Sequence, residues 1–489
     1  MSMIYTNTLA DGFIAENKHL LKQQYRLTYH LMGEFGWMND PNGFIYYAGH
    51  YHMFYQHHPY KPFWGPMHWG HAVSSDLVKW EYWPIAIAPD QPYDKDGCFS
   101  GSAVERDGKL FLMYTGHIVG DTDTTNDYYQ VQNLAVSNDG GVSFTKSDSN
   151  PVIDRTQIPP GASRNDFRDP KVFERDGRYY VVLGSNDGQG SGLILLYSSD
   201  DLESWTFAGE IARSDGTLGD NWECPDLFRL GDRDVLIMSP QRMPAQGDDY
   251  RNLHSTTYMV GSLDTVNGKF TYDGYEPVDY GFDFYAPQTC VDPHGRRIVI
   301  GWMETWETEI PTQKEHGWAG AMTLPREALL VGGKLRFRPV AEIANYRCNL
   351  FEVRDMQLEG ELDMKVSGDS YELHVVFQTE SATEFGLKLR VNEEEETVLA
   401  YRPDEQLFRF NRDRSGIGLG GERRTSIELE EGRLELRVFV DKSSVEVFLQ
   451  DGRKVMTGRI YPGQESLGIR AFSLDGTCRI ESFRKWDIR

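Results

Sequence analysis

Trp37-Met38-Asn39-Asp40-Pro41-Asn42-Gly43 sets a carboxylate among two carboxamides, with an aromatic before it and a proline and a glycine behind. Pro41 biases Asp40 toward extended geometry and Asn42-Gly43 is a turn signal, so Asp40 sits at a chain bend with a fixed aim. The aromatic run over residues 44–55, broken at Ala48-Gly49, predicts a hairpin that Asp40 precedes.

The same unit recurs. Cys98-Phe99-Ser100-Gly101, Arg168-Asp169-Pro170, Glu223-Cys224-Pro225 and Tyr285-Ala286-Pro287-Gln288 each open an apolar run, and these turn at Asp107-Gly108, Asp176-Gly177, Gly231-Asp232 and His294-Gly295. Asp40 lies nine residues before its turn glycine, and Ser100, Asp169 and Glu223 each lie eight before theirs. A second series, Ser75-Asp76 with Trp80, Asn138-Asp139 with Phe144 and Ser199-Asp200 with Trp205, marks outer hairpins between the inner ones. Short strands repeating in this way predict a five-bladed β-propeller. Equivalent positions in radial blades point at the axis, so Asp40, Asp169 and Glu223 are expected to share one pocket.

After Pro325 the character changes. Period-two alternation in residues 371–377, 385–391, 434–440 and 444–449 argues a second, all-β domain, a β-sandwich. The expected organisation is an N-terminal segment over 1–25 with a short helix at 13–25, the propeller over 26–335, a linker over 336–345 and the sandwich over 346–489. Asp441, Ser443 and Glu446 read as solvent-facing polar residues of turns and strands, or else as sugar contacts. Long loops at 120–131, 158–165 and 241–254 are candidates for a pocket rim.

Composition narrows the classes. Lys and Arg number 50 against 74 Asp and Glu, a formal net charge of −24 that repels nucleic acid and anionic membrane. The 13% of aromatic residues fits propeller strands and a sugar-stacking site. Cys98, Cys224, Cys290, Cys348 and Cys478 are odd in number and widely spaced, suggesting neither a disulfide framework nor a thiolate zinc site. No stretch approaches the roughly 20 apolar residues of a membrane span, and the opening residues lack a secretory pattern, so the expected location is cytoplasmic. His50, His52, His57, His58, His68 and His71 form no HExxH pattern, with His50 and His52 expected on one exposed strand face. Neither a metal nor a cofactor is expected.

Glycosidic cleavage needs one carboxyl to protonate the leaving oxygen and another to attack or shield the anomeric carbon. Asn39 and Asn42 can keep Asp40 ionised, as a nucleophile must be, although the same residues also suit an Asx-turn. Trp222, Cys224 and Pro225 form an apolar setting expected to raise the Glu223 pKa toward that of a general acid. An ion pair with Arg168 is expected to hold Asp169 ionised. Strand-end pairing and a structural salt bridge are the alternatives for Glu223 and Asp169, and matching blade register is what sets them aside.

In chain order, residues 37–43, Trp69-Gly70-His71, Phe99-Ser100-Gly101-Ser102, Arg168-Asp169-Pro170, Glu223-Cys224-Pro225, Tyr285-Ala286-Pro287-Gln288 and the C-terminal stretch at 440–448 closely resemble the signatures of glycoside hydrolase family 32. That resemblance implies a retaining β-fructosidase with Asp40 as nucleophile, Glu223 as acid/base and Asp169 as transition-state stabiliser. It further implies a fructose subsite drawn from Trp37, Asn39, Gln56, Trp64, Phe99, Ser100, Arg168, Cys224, Tyr285 and Trp302. The implied partner is a small sugar: sucrose, sucrose 6-phosphate or short fructans. A glucose-borne phosphate would need rim cations, for which Arg242, Arg251 and Lys314, with Lys61, His254 and His316, are candidates. A non-catalytic sugar-binding propeller is the alternative class. Periodicity does not separate a monomer from a homodimer.

Overall fold

The computed structural model describes residues 5–120 and 127–489. Five sheets, each built on four antiparallel strands and two of them with a fifth short strand, form the propeller, and their innermost strands are Gly36–Tyr47, Gly97–Arg106, Phe167–Arg175, Asn221–Leu230 and Tyr285–Val291. Trp318–Ala319 pairs in parallel with Gly36 and Trp37, so the last blade's chain closes the ring on the first. The fifth blade ends with Lys334–Pro339 paired to Arg326–Val331, which carries the propeller past the expected boundary at 335.

Each innermost strand slips register near its start, at Met38/Pro41, Phe99/Gly101, the Asp169-Pro170 step, Glu223/Asp226 and Tyr285/Gln288, and the first slips again at Asn42/Ile45. These are β-bulges, which bend a strand and re-aim its side chains. Asp169, Cys224 and Ala286 take φ of 61°, 46° and 49° there, unusual for residues with a Cβ. The prolines of the repeated motif fall in or beside four of these bulges, on strands whose free edge faces the axis, where a missing N–H costs no ladder bond.

Four sequence expectations are corrected. The helix is Asn7–Asn17 rather than 13–25; Thr6 caps it by accepting from the Leu9 N–H at 3.2 Å, and Asp11 pins it by accepting from Ile85 N–H at 2.9 Å. The outer turns are built by Ser-x-Asp: the hydroxyls of Ser74, Ser137 and Ser199 donate to Asp76, Asp139 and Asp201, so Asp201 is the capping residue of the third and not Asp200. Of the loop expected at 120–131, residues from Tyr128 onward are strand and 121–126 lie outside the described residues. His52 is fully buried, 3.1 Å from His71, while His50 is exposed.

The C-terminal domain is a sandwich bent out of one long strand. Gly468–Ile488 pairs with Glu384–Val391 through its first half and with Ser370–Thr379 through its second, changing sheets at Asp475 and Gly476, both at positive φ. The alternating side chains of both sheets meet in one core that includes Leu373, Phe385, Leu387, Val438 and Val447.

The two domains are joined by a buried polar seam. Asp441 accepts from the N–H groups of Thr28 and Tyr29 and pairs with His30 Nδ1 at 2.8 Å, and His30 Nε2 lies 3.0 Å from Glu446. Glu446 also accepts from Arg326 at 2.6 Å, and Arg326 pairs with Asp279 at 2.9 Å. Ser443 donates to the Tyr25 carbonyl at 2.6 Å. Asp441, Ser443 and Glu446 are therefore neither surface residues nor sugar contacts: all three are buried against the propeller. Burial alone would lower the His30 pKa, but hydrogen bonds to Asp441 and Glu446 and their charges raise it above 6.5. A raised folded pKa stabilises fully below the unfolded value and the contribution fades as pH rises through the folded one. His30→Ala leaves the buried Asp441 without its cationic partner and takes one of two from Glu446, and we expect it to cost about 3–5 kcal/mol; thermal unfolding at neutral pH measures this, and an unshifted transition would contradict it.

Candidate active site

Asp40, Asp169 and Glu223, each carried on an inner-strand bulge, open onto one cavity of ≈ 360 Å³. Asn39, Gln56, Trp64, Phe99, Ser100 and Arg168 line it too, with Trp64 half exposed at the mouth.

Asp40 is almost buried and held by three donors. Ser100 Oγ donates to Oδ2 at 2.7 Å, the Cys224 thiol reaches the same oxygen at 3.5 Å, and Asn39 Nδ2 donates to Oδ1 at 3.1 Å. Trp37 fixes Asn39 in turn, its indole N–H donating to Oδ1 at 2.7 Å. Burial pushes the Asp40 carboxyl up and Glu223 adds to the rise, against the lowering by Ser100, Asn39 and Cys224.

Asp169 accepts from the Cys224 N–H at 2.9 Å, and its own N–H donates to Thr115 Oγ1 at 2.9 Å. The expected Arg168–Asp169 pair is loose, at 3.9 Å. Arg168 instead donates to Glu223 Oε1 through Nη2 at 2.8 Å and Nε at 3.1 Å, and pairs closely with Asp166. Burial, with Glu223 and Asp40 adding to it, lifts Asp169 to about 7 in spite of Arg168. The ion pair thus does not keep Asp169 in the ordinary carboxylate range.

Glu223 also departs from expectation. Its partners are Arg168 and Tyr285, whose hydroxyl donates to Oε2 at 2.6 Å, while Trp222 packs into the core with Leu218 and Leu236. Residues adjacent in a regular strand face opposite ways, so Trp222, though next to Glu223 in sequence, is turned away from it.

Trp37, Cys224, Tyr285 and Trp302 stand buried behind the cavity wall, Trp37 bonded to Asn39, Cys224 to the two aspartates and Tyr285 to Glu223, with Trp302 packed against Trp37 and Trp306. The rim cations fare differently. Arg242 Nε is bound to Asp220 at 2.5 Å, although its backbone N–H donates to His254 Nδ1 at 3.2 Å. Arg251 lies at the propeller–sandwich seam near Arg423, and Lys314 pairs with Glu309 at 2.9 Å. Lys61 is absent from the lining, and His316 is packed against Tyr25, 5.4 Å between rings. His254 alone of these six lines the cavity.

His117, Tyr128, Gln130, Asp166, Gln241 and Trp306 complete the wall and were not legible beforehand. Asp166 had a signal, being two residues before Arg168 on the same strand approach. His117 stacks on Phe99, centroids 4.3 Å apart, and burial lowers it to about 4, so it is a neutral wall residue near pH 7.

Three carboxyls meeting in a concave site walled by aromatics and amides suit proton transfer to and nucleophilic attack on a sugar acetal. The sequence profile of the glycosyl hydrolases family 32 N-terminal domain matches residues 30–339, and that of the family's C-terminal domain matches 346–487. A sucrose-6-phosphate hydrolase of Escherichia coli is 40% identical over 477 residues, covering 94% of each chain. Among solved structures, a β-fructofuranosidase of Bombyx mori superposes with a TM-score of 0.87 at 35% identity, covering 99% of this chain and 98% of its own. A sucrose-6-phosphate hydrolase from Lactobacillus gasseri superposes with a TM-score of 0.88 at 32% identity, covering 98% and 96%. By blade register, by the carboxyl cavity and by profiles spanning both domains, this chain belongs to glycosyl hydrolase family 32.

Proposed function

We propose that the protein is a retaining β-fructofuranosidase that releases fructose from sucrose and sucrose 6-phosphate through a covalent fructosyl-enzyme intermediate. The observation that carries this is the meeting of Asp40, Asp169 and Glu223 on bulges of three blades around one cavity. Asp40 Oδ1 has a single amide donor where Oδ2 has two partners, so Oδ1 is the freer lone pair for attack on the fructosyl anomeric carbon. As that bond forms, the bond to the leaving oxygen breaks and Glu223 gives that oxygen its proton. Water then donates a proton to Glu223 and attacks the same carbon, and Asp40 departs. Asp169, fixed by the Cys224 N–H, accepts from fructose hydroxyls. Arg168 and Tyr285 orient Glu223. The reaction needs no cofactor.

The mouth bears on phosphate preference. Among the described residues Arg168 is the one lysine or arginine lining the cavity, and it is committed to Glu223 and Asp166. Arg242 is tied to Asp220. We therefore expect kcat/KM for sucrose and for sucrose 6-phosphate to agree within about tenfold, less than a single fresh charge-assisted bond of about 1.5–3 kcal/mol would produce. Side-by-side rates measure it; a preference beyond a hundredfold for the phosphorylated sugar would contradict it. Invertase action on sucrose alone, or exo-action on short fructans, is the second reading, favoured by the same scarcity of free cations. A cytoplasmic location is part of the proposal and is supported by five cysteines that are all free; among the described residues no helix is long and apolar enough to cross a membrane. Monomer and homodimer both accommodate the site, which one chain completes.

A further inference from the structure

The sandwich reaches a segment of the cavity wall through a buried Arg–Glu pair. The segment following the fifth blade's strand Arg297–Trp302 carries Glu304, Trp306 and Glu307. Trp306 lines the cavity at its mouth, 37% exposed, with its ring 4.9 Å from Trp302 and 5.8 Å from Trp37. Glu307 accepts from the His254 N–H at 3.2 Å, so the same segment sets a second lining residue.

Glu304 points the other way, into the domain seam. Arg459 of the sandwich lies 2.9 Å from it, and the two side chains are 1% and 3% exposed. Arg459 is itself immobilised: Nε donates to the Ser443 carbonyl and Nη2 to the Ser443 hydroxyl, both at 2.9 Å, and its backbone N–H donates to Asp283 at 2.7 Å. Tyr461 OH reaches Glu304 at 3.5 Å, and Arg412 pairs with Asp283 at 2.6 Å. Burial pushes the Glu304 carboxyl up to about 8, with Arg459 opposing. A buried carboxyl two residues from a cavity-wall tryptophan thus has its nearest basic partner on the other domain.

We propose that Glu304 and Arg459 are positioning residues through which the sandwich fixes the Trp306 wall, and so the affinity for the leaving-group half of the substrate. The catalytic carboxyls hold the fructosyl ring at the bottom of the cavity, whereas Trp306 and His254 stand where the departing sugar sits. Losing the clamp therefore weakens binding in ground and transition states alike, which raises KM and spares kcat. The inference rests on the cavity being the fructosidase site.

The test uses the full chain. Glu304→Gln and Arg459→Met are compared with Asp279→Asn, which weakens the equally buried Asp279–Arg326 pair of the same seam away from the cavity. For Glu304→Gln and Arg459→Met the expected result is a KM for sucrose raised about tenfold with kcat within about twofold, and an altered near-ultraviolet tryptophan dichroism from the Trp37–Trp302–Trp306 cluster. Arg459→Lys, which keeps the charge, is expected to recover most of the KM. Asp279→Asn is expected to lower the unfolding temperature with KM and tryptophan signal unchanged. An unchanged KM and dichroism in folded Glu304→Gln, or an equal rise of KM in Asp279→Asn, would overturn the proposal. A wild-type chain inactive on fructosides would instead strike the reading of the cavity, and the tryptophan signal of Glu304→Gln would still decide the coupling.

Discussion

Asp40→Ala is expected to reduce fructose release from sucrose by on the order of 10⁴ to 10⁶ in kcat, the scale on which loss of a nucleophile acts. The reason is local. Ser100 and Cys224 hold Oδ2 and Asn39 holds Oδ1, so the carboxylate is aimed without rotating, and no other described carboxyl is held by that set. Asp169, the nearest substitute, is turned to the Cys224 N–H and is pushed to about 7 by burial, which makes it a poor nucleophile. The alanine also relieves the charge crowding that raises Asp40, so the fold is expected to survive and sugar binding to persist. Initial rates with purified variant, alongside circular dichroism, check this. Residual kcat above about one per cent of the parent would remove Asp40 from the chemistry.

The second large effect is on stability in acid. Burial lowers His52, His57 and His117 to about 4 and His68 to about 3, and His71 well below its ordinary value. Each is held neutral: His57 Nδ1 lies 2.7 Å from the Trp37 carbonyl, and His52 contacts His71. The unfolded chain takes up these protons near pH 6.5 and the folded chain only near pH 4 or below. Stability is therefore full above about pH 6.5 and falls as the pH drops, by about 1.4 kcal/mol per unit for each histidine. Asp169 at about 7 and Glu304 at about 8 have the opposite sign, gaining protons on folding in the same range and offsetting part of the loss. His30, raised by its two carboxylate partners, and Asp40, raised by burial, also hold protons more tightly in the folded chain, so five lowered histidines stand against four opposing groups and stability falls on balance as the pH drops. We expect cooperative unfolding below about pH 5, followed by near-ultraviolet dichroism; native signal retained at pH 4 would contradict the account.

The inner strands were legible because their devices are local. A turn glycine fixes where each hairpin ends, a bulge with proline fixes where it bends, and the offset between them puts Asp40, Ser100, Asp169 and Glu223 in equivalent places. The sandwich was legible from alternation alone, which its two sheets follow. What alternation does not encode is what covers a polar face. Asp441 and Glu446 follow the same pattern whether they meet solvent or the His30 and Arg326 side chains more than a hundred residues away. The partner of Arg168 was misread for a related reason: the bulge at Asp169 leaves both side chains on the cavity, but Arg168 reaches across to Glu223 in the next blade while Asp169 turns to the Cys224 N–H. The wall from Tyr128, Gln130 and Trp306 comes from third strands and a connecting segment, where no motif repeats.

The central claim is that Asp40 forms a bond to the fructosyl carbon. It is tested most directly in Glu223→Gln supplied with a β-fructosyl fluoride, whose leaving group needs no protonation while water attack on the intermediate lacks its base. After acid quench and peptide mapping by mass spectrometry, the account predicts a fructosyl adduct on the peptide containing Asp40, localised to that residue by fragmentation. Fluoride release with an unlabelled Asp40, or an adduct on Asp169 instead, would contradict it.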